Sequence, residues 1–163
     1  MTINIRKFNI NDLNEMIEIW NEVVKSGVAF PQKEFLDINS GKEFFNFQSF
    51  CGVAQDNDAK KIVGLYILHP NNIGRCGHIC NASYAVASDA RGNHIGESLV
   101  KHSMQTGKEL GFKILQFNAV VKTNEPAIHL YKKLGFQQLG TIKGGFQLDN
   151  GNFEDIVPFY HTL

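Results

Sequence analysis

The sequence predicts an α/β domain in which helices are layered on a mixed β-sheet. In the first half, two strand-like segments flank a short polar turn, a pattern typical of antiparallel pairing. The second half alternates strand, helix, strand, helix and strand, which is typical of a layered α/β domain. The chain has 163 residues, 43% of them hydrophobic, enough for a sizeable core. We therefore expect one domain over residues 1–163.

The amino-terminal segment predicts a strand followed by a helix. Ile3, Ile5 and Phe8 indicate the strand, and Asn11 and Asp12 offer side chains that can cap a helix beginning beside them. The apolar residues that follow recur at the spacing of one helix face. They are Leu13, Met16, Ile17, Trp20, Val23 and Val24.

The next segments predict a loop, a short helix and a hairpin. Glycines and a proline within residues 26–48 indicate a loop, and the phenylalanines at 44–47 indicate a short helix. Residues 50–55 and 62–68 have the composition of two strands, and the polar turn between them predicts a β-hairpin.

The second half predicts alternating strands and helices. Gly111 is placed to end the first of its helices, and Pro126 suits the first turn of the second. The strand at 114–121 is so apolar that we expect both of its faces to be covered. The expected elements are strand 78–87, helix 92–110, strand 114–121, helix 123–134, and strands 136–142 and 155–161.

Charge, apolar patterning and cysteine usage narrow the classes of function. Sixteen basic and sixteen acidic side chains cancel, whereas a nucleic-acid-binding protein usually has a basic surplus. No apolar run has membrane-spanning length, and the first residues lack a signal-peptide pattern. Three cysteines without a CxxC pair and six scattered histidines favour reduced thiols and no metal site. We expect a cytoplasmic protein without nucleic-acid or membrane partners. The sequence does not decide whether the protein forms a homodimer.

The stretch Ala90-Arg-Gly-Asn-His-Ile-Gly-Glu-Ser-Leu99 predicts an anion-binding turn. It follows a predicted strand and opens a predicted helix, with Gly92 and Gly96 bracketing the first turn. Free N–H groups and the positive end of the helix dipole favour an anion there. An ordinary strand-to-helix turn shares this pattern, so the stretch alone leaves both interpretations open.

A second stretch, Asn124-Glu-Pro-Ala-Ile-His-Leu-Tyr-Lys-Lys-Leu-Gly-Phe136, is more specific. Asn124 and Tyr131 are two helical turns apart and fall on nearly the same face. Together the stretches resemble the GNAT family of acetyl-CoA-dependent N-acetyltransferases. Arg91 and Gly96 fit that family's Arg/Gln-x-x-Gly-x-Gly/Ala motif. Its Asn-x-x-Ala-x-x-Leu-Tyr-x-x-x-Gly-Phe motif is matched at Asn124, Ala127, Leu130, Tyr131, Gly135 and Phe136.

The resemblance implies a fold and a co-substrate. The fold is a mixed, mostly antiparallel sheet of about seven strands with splayed parallel central strands, flanked by about four helices. The co-substrate is acetyl-CoA, with its pyrophosphate on the turn and no metal. His94 stands where the family has glycine, and its side chain either points into solvent or donates to a phosphate. The implied coenzyme-binding residues are Ala85, Val86, Ala87, Arg91, Gly92, Asn93, His94, Ile95, Gly96, Asn124 and Tyr131.

From about residue 71 onward, the chain resembles two small-molecule branches of the family. Gly-Asn-Phe-Glu-Asp-Ile-Val at 151–157 is similar to the ending of phosphinothricin-type acetyltransferases. The runs His-Ile-Cys-Asn-Ala-Ser-Tyr at 78–84 and Leu-Gln-Phe-Asn-Ala-Val-Val at 115–121 are similar to fungal acetyltransferases of proline analogues such as azetidine-2-carboxylate.

Asn81 separates these two branches. It stands where the phosphinothricin-type enzymes place a glutamate base, and an amide cannot accept a proton at neutral pH. In the proline-analogue branch, the resemblance implies that this asparagine binds the substrate carboxylate. Backbone amides at Asn118 and Ala119 are expected to help. The alternative is a strand asparagine tied to a neighbouring backbone.

The resemblance also implies roles in the chemistry, with the amine attacking the thioester carbonyl in a ternary complex. A backbone N–H near Tyr84 is expected to bind the oxyanion. Tyr131 is the expected general acid for the departing thiolate, and Asn124 is a second candidate donor to sulfur that can also cap its helix. Cys80 is expected on the opposite face from Asn81, as a core thiol. Other side chains fit no motif: His78, His161, Lys122, Lys132 and Lys133.

The implied activity is acetylation of the amine of a small amino acid or analogue, including a proline-like one. The alternatives are a protein amino-terminal or polyamine acetyltransferase and a non-enzymatic acetyl-CoA-binding module. A carboxylate-binding Asn81 argues against polyamines, which lack that group. Asn124 and Tyr131 argue against a non-enzymatic module.

Overall fold

The centre of the protein is an eight-stranded, mostly antiparallel sheet with two helices on each face. The computed structural model describes residues 1–163. In chain order the elements are β1 (Ile3–Lys7), α1 (Leu13–Ser26), α2 (Ile38–Phe47), β2 (Phe50–Asp56), β3 (Lys61–Pro70), β4 (Ile79–Val86), α3 (Ile95–Glu109), β5 (Ile114–Val121), α4 (Glu125–Lys133), β6 (Gln137–Gln138), β7 (Ile142–Gln147) and β8 (Phe153–Thr162). The strand order is β1-β2-β3-β4-β5-β8-β6, with β7 paired to β8. The expected fold class is confirmed.

Two hydrophobic cores lie on opposite faces of this sheet. On the α1/α2 face, Trp20 and Phe45 pack against Leu65 and its neighbours on the central strands. On the α3/α4 face, Leu99 of α3 and Phe159 of β8 belong to one core, to which α4 contributes partly buried side chains. Successive strand residues alternate between these cores because strand side chains point to opposite faces.

The sheet opens in its middle, between β4 and β5. These strands are parallel, and only Ile79 with Ile114 and Cys80 with Leu115 are in register. Beyond these pairs the strands separate, leaving the rest of β4 without a neighbour on that side. The splayed parallel strands implied by the sequence are therefore present.

Two helix starts differ from the expectation. Asn9, rather than Asn11 and Asp12, caps the turn that leads into α1, and its side chain accepts from Asn11 N at 2.8 Å. Asp12 completes this capping box by accepting from Asn9 N at 2.8 Å. Helix α3 begins at Ile95 rather than residue 92, because the preceding residue, His94, has a left-handed φ of 58°.

The carboxy-terminal strands also differ. The strand expected at 136–142 is wrong beyond Gln137–Gln138, since Gly140 has a φ of +149° and interrupts it. A strand not expected from the sequence, β7, follows at Ile142–Gln147. Strand β5 is not covered on both faces, because Asn118 is exposed beside the opening.

Candidate active site

A cavity of about 290 Å³ lies where β4 and β5 separate. Its lining comes from both faces of the sheet. Tyr84, Phe117 and Tyr131 belong to the α3/α4 side, and Phe30 belongs to the α1/α2 side. The cavity therefore links the two faces through the opening in the sheet.

Six predicted site residues line this cavity together, although they come from three separate elements. They are Asn81, Tyr84, Asn118, Ala119, Asn124 and Tyr131. The predicted anion-binding turn at 91–96 does not line it, and neither do Ala85, Val86 and Ala87. The structure thus separates the predicted chemistry from the predicted phosphate site.

The Tyr131 phenol is placed to donate a hydrogen bond into the cavity. Its ring packs on Phe117, with 4.4 Å between ring centroids, and its hydroxyl has no partner within the chain. Burial raises the pKa of Tyr131 above the ordinary value for a phenol. The hydroxyl therefore keeps its proton at neutral pH.

Asn124 caps α4 and still has an amide group to offer. Its Oδ1 accepts from Ala127 N at 3.4 Å, and Pro126 lies in the first turn as expected. Because the cap uses only the oxygen, the Nδ2 donor stays available to the cavity that Asn124 lines. The two roles considered for Asn124 are therefore compatible.

The Tyr84 hydroxyl is committed to α3. It donates to Ser103 Oγ at 2.7 Å, since the Ser103 hydroxyl itself donates to Val100 O at 2.8 Å. Burial raises the pKa of Tyr84 well above the ordinary value. Only the backbone of Tyr84 is left for chemistry.

The backbone N–H of Tyr84 points toward the opening. Hydrogen bonds at the ends of β4 give the alternation: Lys113 N donates to His78 O, on the β5 side, whereas Ala87 N donates to Val63 O, on the β3 side. Alternate residues of a strand direct their backbone groups to the same side. Even-numbered residues such as Tyr84 and Val86 therefore face the opening.

Asn81 belongs to a cluster of three asparagines beside the cavity. Asn71 Oδ1 accepts from Asn81 Nδ2 at 3.2 Å and from Asn118 Nδ2 at 2.6 Å. Asn81 is thus tied to a side chain, not to a neighbouring backbone. Asn118 and Ala119 have no partner in β8, because the β5–β8 register shifts there. Sequence reasoning missed Asn71, which no motif marks.

His69 is a second cavity residue that the sequence did not indicate. It lies at the end of β3, directly opposite Asn81 in the antiparallel register, so both side chains lie on the α1/α2 face. Its Nδ1 bonds to Pro70 O at 3.0 Å. The pairing of β3 with β4 places His69 opposite Asn81. The sequence does not show this pairing, because the loop between the two strands does not fix their register.

The turn before α3 carries a row of unused backbone donors. None of the N–H groups of residues 92–97 has an acceptor within the chain. The side chain of Asn93 holds the turn by donating to Ala90 O at 3.0 Å. The His94 side chain is 84% exposed, and that of Ile95 is buried, so only the backbone of Ile95 can meet a ligand. This arrangement can bind an anion.

The backbone directions along β4 narrow the predicted coenzyme contacts. Ala85 and Ala87 direct their backbone groups to β3, and the Ala85 side chain is buried in the α1/α2 core. Val86 faces the opening, where its carbonyl is met by Arg91 Nε at 3.4 Å. Of the three, only Val86 directs its backbone groups toward the opening.

Other candidate groups are occupied elsewhere. Cys80 is buried in the α3/α4 core, and burial raises its pKa to about 11. His78 and His161 do not line the cavity. Lys133 pairs with Glu97 at 2.7 Å, and Lys122 lies 3.5 Å from Asp155.

No three His, Cys, Asp or Glu side chains are grouped to hold a metal, and no helix has the length and apolarity needed to cross a membrane.

Comparison with known proteins gives one consistent family. The profile of the acetyltransferase (GNAT) family matches residues 13–136. An N-acetyltransferase from Schizosaccharomyces pombe, aca1, is 36% identical over 102 residues, which are 61% of this chain and 49% of that protein. The chain thus spans about half the length of this relative.

Solved structures agree over nearly the whole chain. A GCN5-related N-acetyltransferase from Kribbella flavida superposes with a TM-score of 0.90 at 27% identity, covering 99% of this chain and 98% of that one. A phosphinothricin acetyltransferase from Sinorhizobium meliloti, in complex with AcCoA, gives a TM-score of 0.91 at 22% identity, covering 100% and 89%.

Proposed function

The chain belongs to the acetyltransferase (GNAT) family, and from that membership we propose that it transfers the acetyl group of acetyl-CoA to the amine of a small amino acid or analogue. A proline-like acceptor is included. This class of acceptor is supported by the asparagine cluster beside the opening of the sheet, where Asn81 and Asn118 both donate to Asn71. Uncharged amide donors on this side suit a carboxylate.

Acetyl-CoA fits the remaining features of the site. The unused N–H groups of residues 92–97 suit its pyrophosphate, and Val86 offers backbone groups between that turn and the cavity. Its thioester would then lie in the opening, near Tyr131. The solved complex of the S. meliloti relative with AcCoA supports this co-substrate.

The reaction follows from how these groups are arranged. The amine nitrogen attacks the thioester carbonyl carbon, and the oxygen gains negative charge that the Tyr84 N–H can stabilise. The carbon–sulfur bond then breaks, and Tyr131 donates a proton to the departing thiolate. The Nδ2 group of Asn124 can donate a hydrogen bond to the same sulfur.

A panel of acceptors tests the proposal. Release of the CoA thiol is measured with acetyl-CoA and amino acids, proline analogues, polyamines or short peptides. We expect turnover with carboxylate-bearing small amines. Turnover with polyamines or peptides alone would redirect the assignment to those acceptors. Acetyl-CoA binding without turnover of any amine would favour the non-enzymatic module.

A further inference from the structure

One side chain that lines the cavity can accept a proton from an amine. The titratable side chains that line it are His69, Tyr84 and Tyr131. Both tyrosines are held protonated by burial, so neither can take a proton from an amine. No carboxylate, lysine or arginine from β4, β5, α4 or the loop at 29–32 lines the cavity. The imidazole of His69 is the remaining titratable side chain, and in its neutral form one ring nitrogen can accept a proton.

The imidazole of His69 is held in the tautomer that a base needs. A carbonyl oxygen only accepts, so the 3.0 Å contact with Pro70 O requires the proton to be on Nδ1. Nε2 then carries a lone pair, and it has no hydrogen-bond partner within the chain. The contact with Pro70 thus fixes both the tautomer and the ring orientation.

His69 also lies beside the position that lacks a base. Asn81 and His69 are directly opposite each other across β3 and β4, in a register that brings their side chains onto one face. Asn81 cannot accept a proton, but its neighbour across the ladder can. Asn81, the expected carboxylate-binding side chain, and His69, which can accept a proton, therefore lie side by side.

We propose that His69 is the catalytic residue that removes the proton from the attacking amine, directly or through one water, an inference that rests on the proposed function. As the nitrogen–carbon bond forms, the amine proton passes to His69 Nε2. As the carbon–sulfur bond breaks, the Tyr131 proton passes to the thiolate. Exchange with solvent then returns one proton from the imidazolium and supplies one to the tyrosinate.

The test compares His69→Ala with His78→Ala, which changes an exposed histidine outside the cavity. We expect His69→Ala to lower kcat by about 10²–10⁴-fold, the usual contribution of a general base. The acetyl-CoA-induced rise in Tm should be unchanged in both variants, which shows that the fold and coenzyme site are intact. His78→Ala should keep the wild-type kcat.

A further readout excludes a merely structural role. Added imidazole should restore part of the kcat of His69→Ala and leave that of His78→Ala unchanged.

The outcomes separate the two proposals. A kcat for His69→Ala within threefold of an active wild type overturns the role of His69 alone. A lower kcat that added imidazole does not restore overturns it as well. A wild-type protein that acetylates no amine overturns the proposed function and the role of His69 with it.

Discussion

Burial keeps the Tyr131 hydroxyl protonated. Deleting this hydroxyl therefore tests its role as the proton donor. Tyr131→Phe keeps the ring packed on Phe117 and deletes only the hydroxyl. We expect kcat to fall by about tenfold or more, since general acids contribute about 10²–10⁴-fold. Steady-state kinetics with acetyl-CoA measure this.

Tyr160→Phe is the matched control. It also deletes a phenol hydroxyl, one that donates to Gln137 at 2.9 Å outside the cavity, and it should leave kcat unchanged. If Tyr131→Phe instead raised only the KM for the amine, Tyr131 would belong to acceptor binding and not to the leaving group.

The asparagine cluster predicts a change in substrate affinity. Asn81 would hold the acceptor carboxylate in the ground state and the transition state alike, so Asn81→Ala should raise KM and leave kcat nearly unchanged. The loss corresponds to about 1.5–3 kcal/mol, the usual value of a hydrogen bond to a charged group. If Asn81 instead positions a water that carries the amine proton, the variant should lower kcat at constant KM.

An amino-acid amide provides an independent measure of the same interaction. The wild type should bind the amide more weakly than the acid, because the amide lacks the negative charge. Asn81→Ala should hardly distinguish the two. Equal use of acid and amide by the wild type would remove the carboxylate role of Asn81.

Among single residues, those that belong to a recognisable motif could be predicted from the sequence as site residues. Asn81, Asn118, Asn124 and Tyr131 were expected to act together, and all line one cavity. His69 was not expected, because its role depends on a strand register across a loop. Asn71 was missed for a related reason: it lies in that loop, and only the fold brings it within 3.2 Å of Asn81.

At the scale of one element, the turn before α3 contains two residues in the left-handed backbone conformation. Gly92 and His94 both have left-handed φ values, 82° and 58°, which L-residues adopt at a cost. His94→Gly should therefore raise the free energy of unfolding by up to about 1 kcal/mol, after the added chain entropy of glycine. Gly92→Ala should lower it by about 1–2 kcal/mol. Urea denaturation measures both.

The same pair tests whether the backbone alone binds the phosphates. An added Cβ at Gly92 would have no atom within 4 Å, so that variant acts through the backbone conformation. We expect acetyl-CoA affinity to weaken in Gly92→Ala and to stay within about twofold in His94→Gly, because binding there relies on backbone amides. A tenfold loss in His94→Gly would assign a phosphate contact to the imidazole.

The elements themselves were predictable where a periodic pattern or a turn marks them. The β2–β3 hairpin and α4 have such signals. Strand β7 has almost none, since Lys143-Gly144-Gly145 gives no alternation and only pairing with β8 makes it a strand. Helix α3 was expected three residues early, because a glycine-rich turn does not reveal which of its residues will be left-handed.

At the scale of the whole molecule, a narrow seam joins two parts of the sheet. Strands β1–β4 and β5–β8 meet through only two residue pairs, Ile79 with Ile114 and Cys80 with Leu115. Helix α3 and the α3/α4 core bridge the rest. The opening that interrupts the ladder also contains the cavity, so a ligand bound there would contact both parts of the sheet.

Acetyl-CoA should therefore stabilise the whole fold. It would contact Val86 in the first part of the sheet and Tyr131 in the second, and a ligand that binds only the native state stabilises it by mass action. At 100 times Kd the gain is about 2.7 kcal/mol, which corresponds to a rise in Tm of roughly 5–11 °C for a chain of this size. Hydrogen exchange should slow at the Tyr84 and Val86 amides, which face the opening, more than at Ala85, which faces β3. A thermal melt unchanged by saturating acetyl-CoA would contradict the coenzyme site, and uniform slowing along β4 would contradict the placement of the ligand in the opening.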